Sequence, residues 1–527
     1  MASPSIFNSE SDEDSWVIQI NQLVSETNLS ILNKMPVCIY QVPKSLSCAK
    51  PEAFSPQLIA IGPYTHFHPD LYPMERFKVF AAKGVLDHFK KHDFKQLIEQ
   101  LRSTGQFIRA SYHKYLDFKE DTLLYIIAID GLFLLDFFHN YLNEEVSGSF
   151  MTGLQDQVQL SGVKLTKDAI IRDIIMVENQ IPTYILVRIL VLESSKPADS
   201  VLEFLGSMLL SFCKKHSPLK VTHIPTDSEA VSKHYHILDL MYHLVVSHPE
   251  KSETPTTPDQ SEEIKGNILE SLIIFLGNND STTGTSTLKK SSKSEGTAAS
   301  NHFKKVKNVL SWTLDLSSHP KLSEEEEAPV VVNIPCVREL HSVGVYFQPV
   351  EGGNMAIDFD EKKGIFYLPV LKLDVNSEVI MRNLVAHEAL TKPDFLIFTR
   401  YTELMRGIID TVEDVKLLKN AGIIDSSSSL SVEETEELFN GMSKSIGPTK
   451  TEKLDETIKK VNKYYHDKRK ANLYRTLTEY VYNSWKLFTL LATFVLLAMT
   501  ALQTFCSAYD CPIVTYTFLA YAIIFMH

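Results

Sequence analysis

The stretch WKLFTLLATFVLLAMTALQTFCSAY, at 485–509, constrains this chain more than any other. From Leu487 to Tyr509 it carries no charged residue. A helix of that length rises about 34 Å, enough to cross a hydrocarbon core about 30 Å thick. Trp485 and Tyr509 stand at its two ends, where interfacial aromatics belong. Lys468, Arg469, Lys470, Arg475 and Lys486 precede it, and no Lys or Arg follows. Basic flanks stay on the cytoplasmic side. The expectation is a transmembrane helix at 487–509, the lipid bilayer as a partner through it, and the bulk of the chain in the cytosol. A buried helix of a large soluble domain is the competing reading. The following apolar tail, 510–527, reads equally as a second short span or an interfacial segment.

A second apolar stretch, TLLYIIAIDGLFLLDFFHNYL at 122–142, is interrupted by Asp130 and Asp136. Charges at membrane depth are costly, so a buried core helix is the better reading. The two aspartates lie about 240° apart around a helix, too far to act as a carboxylate pair. Elsewhere the composition is that of a globular chain, with 44% hydrophobic and 22% charged residues. The net charge of −13 argues against general nucleic-acid binding, which requires a basic face. The six cysteines are scattered and form no CxxC or Cys/His cluster, as suits a reducing compartment. The start, MASPSIFNSESDEDSW, lacks the basic and apolar regions of a secretory signal, and Ala2 stands where myristoylation needs glycine.

Along the chain, 1–15 reads as disordered and 16–249 as a helical N-terminal part. Within that part, helical periodicity runs through 16–32, 74–104 and 107–143. It continues in two pieces through 168–190, with Pro182 opening the second, then through 199–215 and 233–247. Residues 250–328 are linker-like in composition, interrupted by the amphipathic IKGNILESLIIFLGN and the basic FKKVKNVLSW. The unit 329–450 combines a β-hairpin with helices. VYFQPV, MAIDFD and IFYLPVLKLD read as strands joined by turns at EGGN and EKKG. Helices follow at 377–390 and 394–420, the latter closed by Gly422, and Ser431 with Glu434 forms a capping box. From 451 a helical stalk, 451–486, runs unbroken into 487–509.

The chemistry motifs are few. HEALT at 387–391 lacks the second histidine of a zinc protease, having Thr391 instead. His236, Asp239 and His243 are spaced to share one helical face, and His66 and His68 could add ligands. Histidines in an apolar helix more often make ordinary core hydrogen bonds, so no metal site is expected. Glu178, Asn179 and Gln180 lie between apolar helices, where bonding to backbone groups at the junction is the favoured role. There is no phosphate loop, dinucleotide fingerprint or nucleophile elbow. Neither catalytic residues nor cofactors are assigned.

VPKSL at 42–46, SPQLIAIGPY at 55–64, MERFK at 74–78 and MVENQIP at 176–182 occur in that order. HILDL at 236–240, GIFYLPVLKLD at 364–374 and RNLVAHE at 382–388 follow. Together with the apolar C-terminal helix, they resemble the plant family termed domain of unknown function 247, or uncharacterised protein family 0481. The family often has a histidine directly after the IGPY tyrosine, where this chain has Thr65, and an aromatic where His387 stands. The resemblance implies a plant membrane protein with a mainly helical body and no known activity. Some grass members are associated with self-incompatibility, a recognition process.

The expected fold is mainly α, formally α+β: a multi-helix body, a small antiparallel β element and a C-terminal transmembrane helix. The expected function is a non-catalytic interaction, signalling or recognition module with an unidentified protein partner. The alternative is an enzyme of unrecognised type, with a pocket near Gly62, Pro63, Tyr64, Glu178, Asn179, Gln180, His236 and Asp239. A third reading, an extracellular recognition domain, would make Asn28 and Asn279 glycosylation acceptors.

Overall fold

The computed structural model describes residues 36–143, 167–246, 333–442 and 451–509, apart from 195, 223 and 351–354, together with a few positions between 14 and 24. The sequence readings at 1–15, 16–32 and 250–328, at the EGGN turn, at Asn28 and Asn279 and in the tail 510–527 lie outside the described residues or almost wholly so.

The chain enters through an extended segment, Val37–Val42, and a single helical turn, α1 (Lys44–Ser47). Helices α2 (Glu75–Phe89), α3 (Phe94–Leu101) and α4 (Gly105–Ser111) then lead to α5 (Glu120–Asn143). Asp93 and Gln96 make a reciprocal capping box that starts α3. α5 is the helix interrupted by aspartates. Its apolar residues are buried on nearly every side, including Leu123, Ile127, Leu132 and Phe138. A helix apolar all round belongs in a protein core or a membrane. Here α2, α3, α7 (Thr183–Ser194) and α8 (Ala198–His216) pack around it.

Between these lies α6 (Lys167–Ile174), followed by the MVENQIP loop. Pro182 directly precedes α7, as expected. Helix α8 meets α9 (Asp227–Ser232) at Gly206, where an added Cβ would fall 1.8 Å from the Asp227 carbonyl oxygen. Only glycine permits that approach. α10 (Ile237–Val246) completes the first half. The helix expected at 233–247 therefore begins later, and 107–143 is two helices rather than one.

The second half opens with α11 (Val337–Ser342), which ends at Gly344 with φ +87°. Its sheet comprises β1 (Tyr346–Pro349), β2 (Asp358–Asp360) and β3 (Ile365–Leu368) in the order β1-β3-β2. β2 and β3 form the expected antiparallel hairpin, Phe359 facing Phe366. β1 instead pairs with β3 in parallel, Phe347 facing Phe366. The small β element is thus mixed, not antiparallel. β3 lies between β1 and β2, so the first two strands are not neighbours.

Helices α12 (Ser377–Thr391), α13 (Ile397–Ile408), α14 (Val412–Asn420) and α15 (Val432–Gly441) follow. The expected Ser431/Glu434 capping box is present at α15. The two halves are sewn together at Leu371, which bridges to Leu219 on one side and Ile424 on the other. One continuous hydrophobic core includes residues from both halves.

The last helix, α16 (Glu452–Tyr509), has 58 residues. Its first turns dock on the body: Leu454, Ile458, Val461 and Tyr465 are buried. Tyr464 sets its ring against Phe359 of β2, with centroids 5.3 Å apart, and Arg400 of α13 pairs with Asp455. Beyond Tyr465 the helix is exposed along almost its whole length, apolar residues included.

Candidate functional site

The extended segment 38–42 has few β-ladder partners of its own, and side chains from distant motifs supply them. Glu178 Oε1 accepts from the Val42 amide at 2.7 Å. Tyr64 donates its hydroxyl to the Ile39 carbonyl at 3.2 Å and accepts from the Lys114 amide at 2.9 Å. His236 Nε2 lies 3.0 Å from the Cys38 carbonyl. Its Nδ1 accepts from the Asp239 amide at 3.2 Å, which makes Nε2 the protonated nitrogen. Burial, with the charge of His387 adding to it, pushes the His236 pKa down to about 3, so the ring is neutral.

The IGPY turn is built from beneath. Gly62 has φ +76°, and a Cβ there would fall 2.6 Å from the Gln180 carbonyl oxygen. The Gly62 amide donates to Asp130 Oδ2 at 2.8 Å. The other Asp130 oxygen pairs with Lys78 Nζ, and both side chains are completely buried. Asp130 is thus the neutralised anchor of a turn, and Pro63, buried beside Gly62, continues it.

Asn179 and Gln180 knit the turn to the rest. Asn179 Oδ1 accepts from the Ile61 amide at 2.6 Å and from Thr65 Oγ1 at 3.2 Å. Its Nδ2 donates to the carbonyls of Ile59 (3.0 Å) and Asp173 (2.9 Å). Gln180 Nε2 donates to the carbonyls of Ile174 (2.6 Å) and Met176 (2.9 Å). The Gln180 carbonyl accepts from the Tyr112 hydroxyl at 2.9 Å. One carboxylate oxygen of Asp173 accepts from the amides of Gln57, Leu58 and Ile59. Asn383, in RNLVAHE, accepts from the Val177 amide and donates to the Ala53 carbonyl.

The motif residues Gly62, Pro63, Tyr64, Glu178, Asn179, Gln180, His236 and Asp239 therefore do come together, across long sequence separations. Most of their polar atoms are engaged with backbone groups of the fold, the role favoured for the ENQ tripeptide. Sequence reasoning did not assign partners to Asp130, Lys78, Asp173 or Asn383. The signal was present for Asp130: a charge inside an apolar helix demands a counter-ion. Lys468, Arg469, Lys470, Trp485, Lys486 and Tyr509 lie apart, on α16.

HEALT also acquires a structural role. Glu388 is fully buried and accepts from the Phe398 and Thr399 amides, the Thr399 hydroxyl and the Tyr242 hydroxyl, at 2.7–2.8 Å. It caps α13 and ties it to α10. His387 Nε2 lies 3.2 Å from Asp239 Oδ1. Asp239 is thereby surrounded by imidazoles: His234 Nδ1 at 3.6 Å, His243 Nδ1 at 3.4 Å and His387. Burial works to raise the Asp239 pKa. The imidazoles around it, His243 first and then His234 and His387, outweigh burial and hold the group well below the usual range.

Among the described residues, two clusters of donor atoms have metal-like spacing, His234/Asp239/His243 and His66/Glu75/Asp130. In the second, the Lys78 ammonium already pairs with both Glu75 and Asp130, so a cation is built in. His68 is exposed and turned toward Asp70. A separate open cleft of about 400 Å³ is lined by Lys50, Gln57, Asp168, Arg172, Asn376 and Glu378 among others, and by none of the eight motif residues. Its rim carries a Lys50–Glu378 ion pair. Cys38, Cys48, Cys213 and Cys336 are free thiols.

A mainly helical body sewn together by these motifs, carrying one long exposed apolar helix, defines the class. This chain belongs to the plant family of unknown function DUF247, whose profile matches residues 39–499. A putative UPF0481 protein of Arabidopsis thaliana, At3g02645, is 35% identical over 528 residues, covering 94% of each chain. A second Arabidopsis relative, UPF0481 protein At3g47200, is 22% identical over 445 residues, covering 83% of this chain and 79% of its own. No solved structure matches.

Proposed function

We propose that this protein is a membrane-anchored, non-catalytic interaction or signalling module, with 487–509 seated in a bilayer and its body on the cytosolic face. The observation that carries the reading is the bare surface of α16. Phe488, Phe494 and Leu496 are each about two-thirds exposed (67%, 68% and 65%). Large contiguous apolar surface in contact with water is unfavourable and marks a membrane or protein contact. By contrast, α5 is equally apolar and buried in the body. Trp485 and Lys486 at the start of the apolar run suit a membrane interface, and the basic residues before it favour the cytosolic side.

A non-catalytic role is supported by the use of the motif residues as fold-building hydrogen-bond partners. Their convergence keeps an enzyme as the alternative, which would require a substrate site reached by groups already bonded to the backbone. The first experiment is topology in plant microsomes. Resistance to carbonate extraction, lost on truncation after Lys486, tests the anchor. Protease digestion of the body with no glycan at Asn28 or Asn279 is the expected result. A protected, glycosylated body would overturn the orientation and make extracellular recognition the leading reading.

A further inference from the structure

We propose that His234, Asp239 and His243 form a binding site for a divalent transition-metal ion of the zinc class. One ligand atom from each residue lies within 4.8 Å of the others. The His234 and His243 rings are 4.5 Å apart between centroids, with their Nδ1 atoms flanking opposite oxygens of the Asp239 carboxylate. Two imidazoles and a carboxylate are the donor set of three-ligand zinc sites that keep a further position open. Borderline nitrogen donors favour such an ion over calcium or magnesium.

An independent observation points the same way. His234 is only 8% exposed, and its Nδ1 is buried with no hydrogen-bond partner. A buried polar atom left unpaired is costly. A metal bound at that lone pair removes the cost. The neutral ring is the form that ligates.

The surroundings resemble an outer ligand shell. The Tyr235 amide donates to Asp239 Oδ2 at 3.0 Å, and His387 holds Oδ1. Such partners fix the direction of a ligating carboxylate. Two interactions oppose metal binding. His243 Nδ1 lies 2.9 Å from the Asp239 carbonyl, a contact the metal must replace. Lys392 Nζ lies 3.1 Å from His243 Nε2, and its charge weakens the hold on any cation. Lys392 therefore sets the affinity without being a ligand.

The proposal is independent of the membrane reading and is tested on the full chain in detergent, stripped with a chelator and titrated with Co²⁺, then Zn²⁺. The expected result is one saturable Co²⁺ site per chain, with visible ligand-field absorption abolished by Zn²⁺. His234→Asn and His243→Asn should each weaken binding by about 100-fold, the upper end of losses seen even for outer-shell changes. Lys392→Met should tighten it, and His66→Asn should leave it unchanged. The His243 side chain is 34% exposed, so its variant keeps the fold and decides the matter if His234→Asn does not; circular dichroism checks both. Absence of saturable binding, or equal binding by the parent and the folded His243 variant, overturns the proposal.

Discussion

Replacing Asn179 by aspartate changes the outline of no side chain and should still cost much of the protein's stability. Asn179 is 1% exposed and uses its full hydrogen-bonding capacity: two donors to carbonyls and one oxygen accepting twice. Asn179→Asp turns the donating nitrogen into an oxygen aimed at the Ile59 and Asp173 carbonyls. Each buried group left unpaired costs roughly 1–3 kcal/mol, so the two carbonyls account for about 2–6 kcal/mol. The introduced carboxyl must also be buried as an anion or take up a proton, which adds to the loss near neutral pH. A domain's total stability is only about 5–15 kcal/mol. Urea unfolding of the full chain in detergent, followed by circular dichroism, should show a lower midpoint with an unchanged slope. Hydrogen exchange should accelerate first at Ile61 and Gly62. Part of the loss should return at acidic pH, where a protonated carboxyl regains one donor. A midpoint shift worth less than about 1 kcal/mol, within the ordinary range for a single substitution, would refute the reasoning.

Lys78→Met should cost about 3–5 kcal/mol, because it strands the buried Asp130 carboxylate; adding Asp130→Asn should recover part of this in the same unfolding assay. Gly206→Ala should separate α8 from α9 and cost about 2–4 kcal/mol, as over-packing against rigid backbone does, read as a lower melting temperature. Asp136 is raised to about 6 by burial, despite a hydrogen bond from Asn140 that lowers it. The folded chain thus holds this proton more tightly than the unfolded chain does. The resulting stability is fully present below the unfolded value of 3.8 and is lost as pH rises through about 6. Asp136→Asn should therefore stabilise the protein by on the order of 1 kcal/mol above that range, discounted for partial exposure, and not at pH 3. Parallel melts at the two pH values check the sign.

The local features were the readable ones. The Ser431/Glu434 cap, the helix stop at Gly422 and the unbroken helix after residue 451 each depend on neighbours within a turn. The sheet was not readable to the same degree. The β2–β3 hairpin is encoded in its turn, whereas the parallel β1–β3 pairing depends on how the intervening chain is led around. At the histidines, helical spacing grouped His236 with Asp239 and His243. α10 begins only at Ile237, so His236 sits before the first turn and faces the Cys38 carbonyl. His234, in the preceding loop, swings beside Asp239 in its place. For the motif residues, type and burial were legible from the sequence. Their partners were not, because Asn179 with Ile61, or Lys78 with Asp130, meet only after the helices have packed.

The continuity of α16 gives the body a mechanical property. Docked by its first turns and free thereafter, the helix holds its apolar end at a set stand-off, about 30 Å of exposed shaft between Tyr465 and Leu487 at 1.5 Å per residue. An uninterrupted helix resists bending, and the shaft contains no proline or glycine to act as a joint. Twist or tilt imposed at the apolar end is therefore delivered to the sheet and to Asp455, where it is gripped by Arg400. Anything seated between the body and that end must fit a gap whose height is fixed by the count of helical turns.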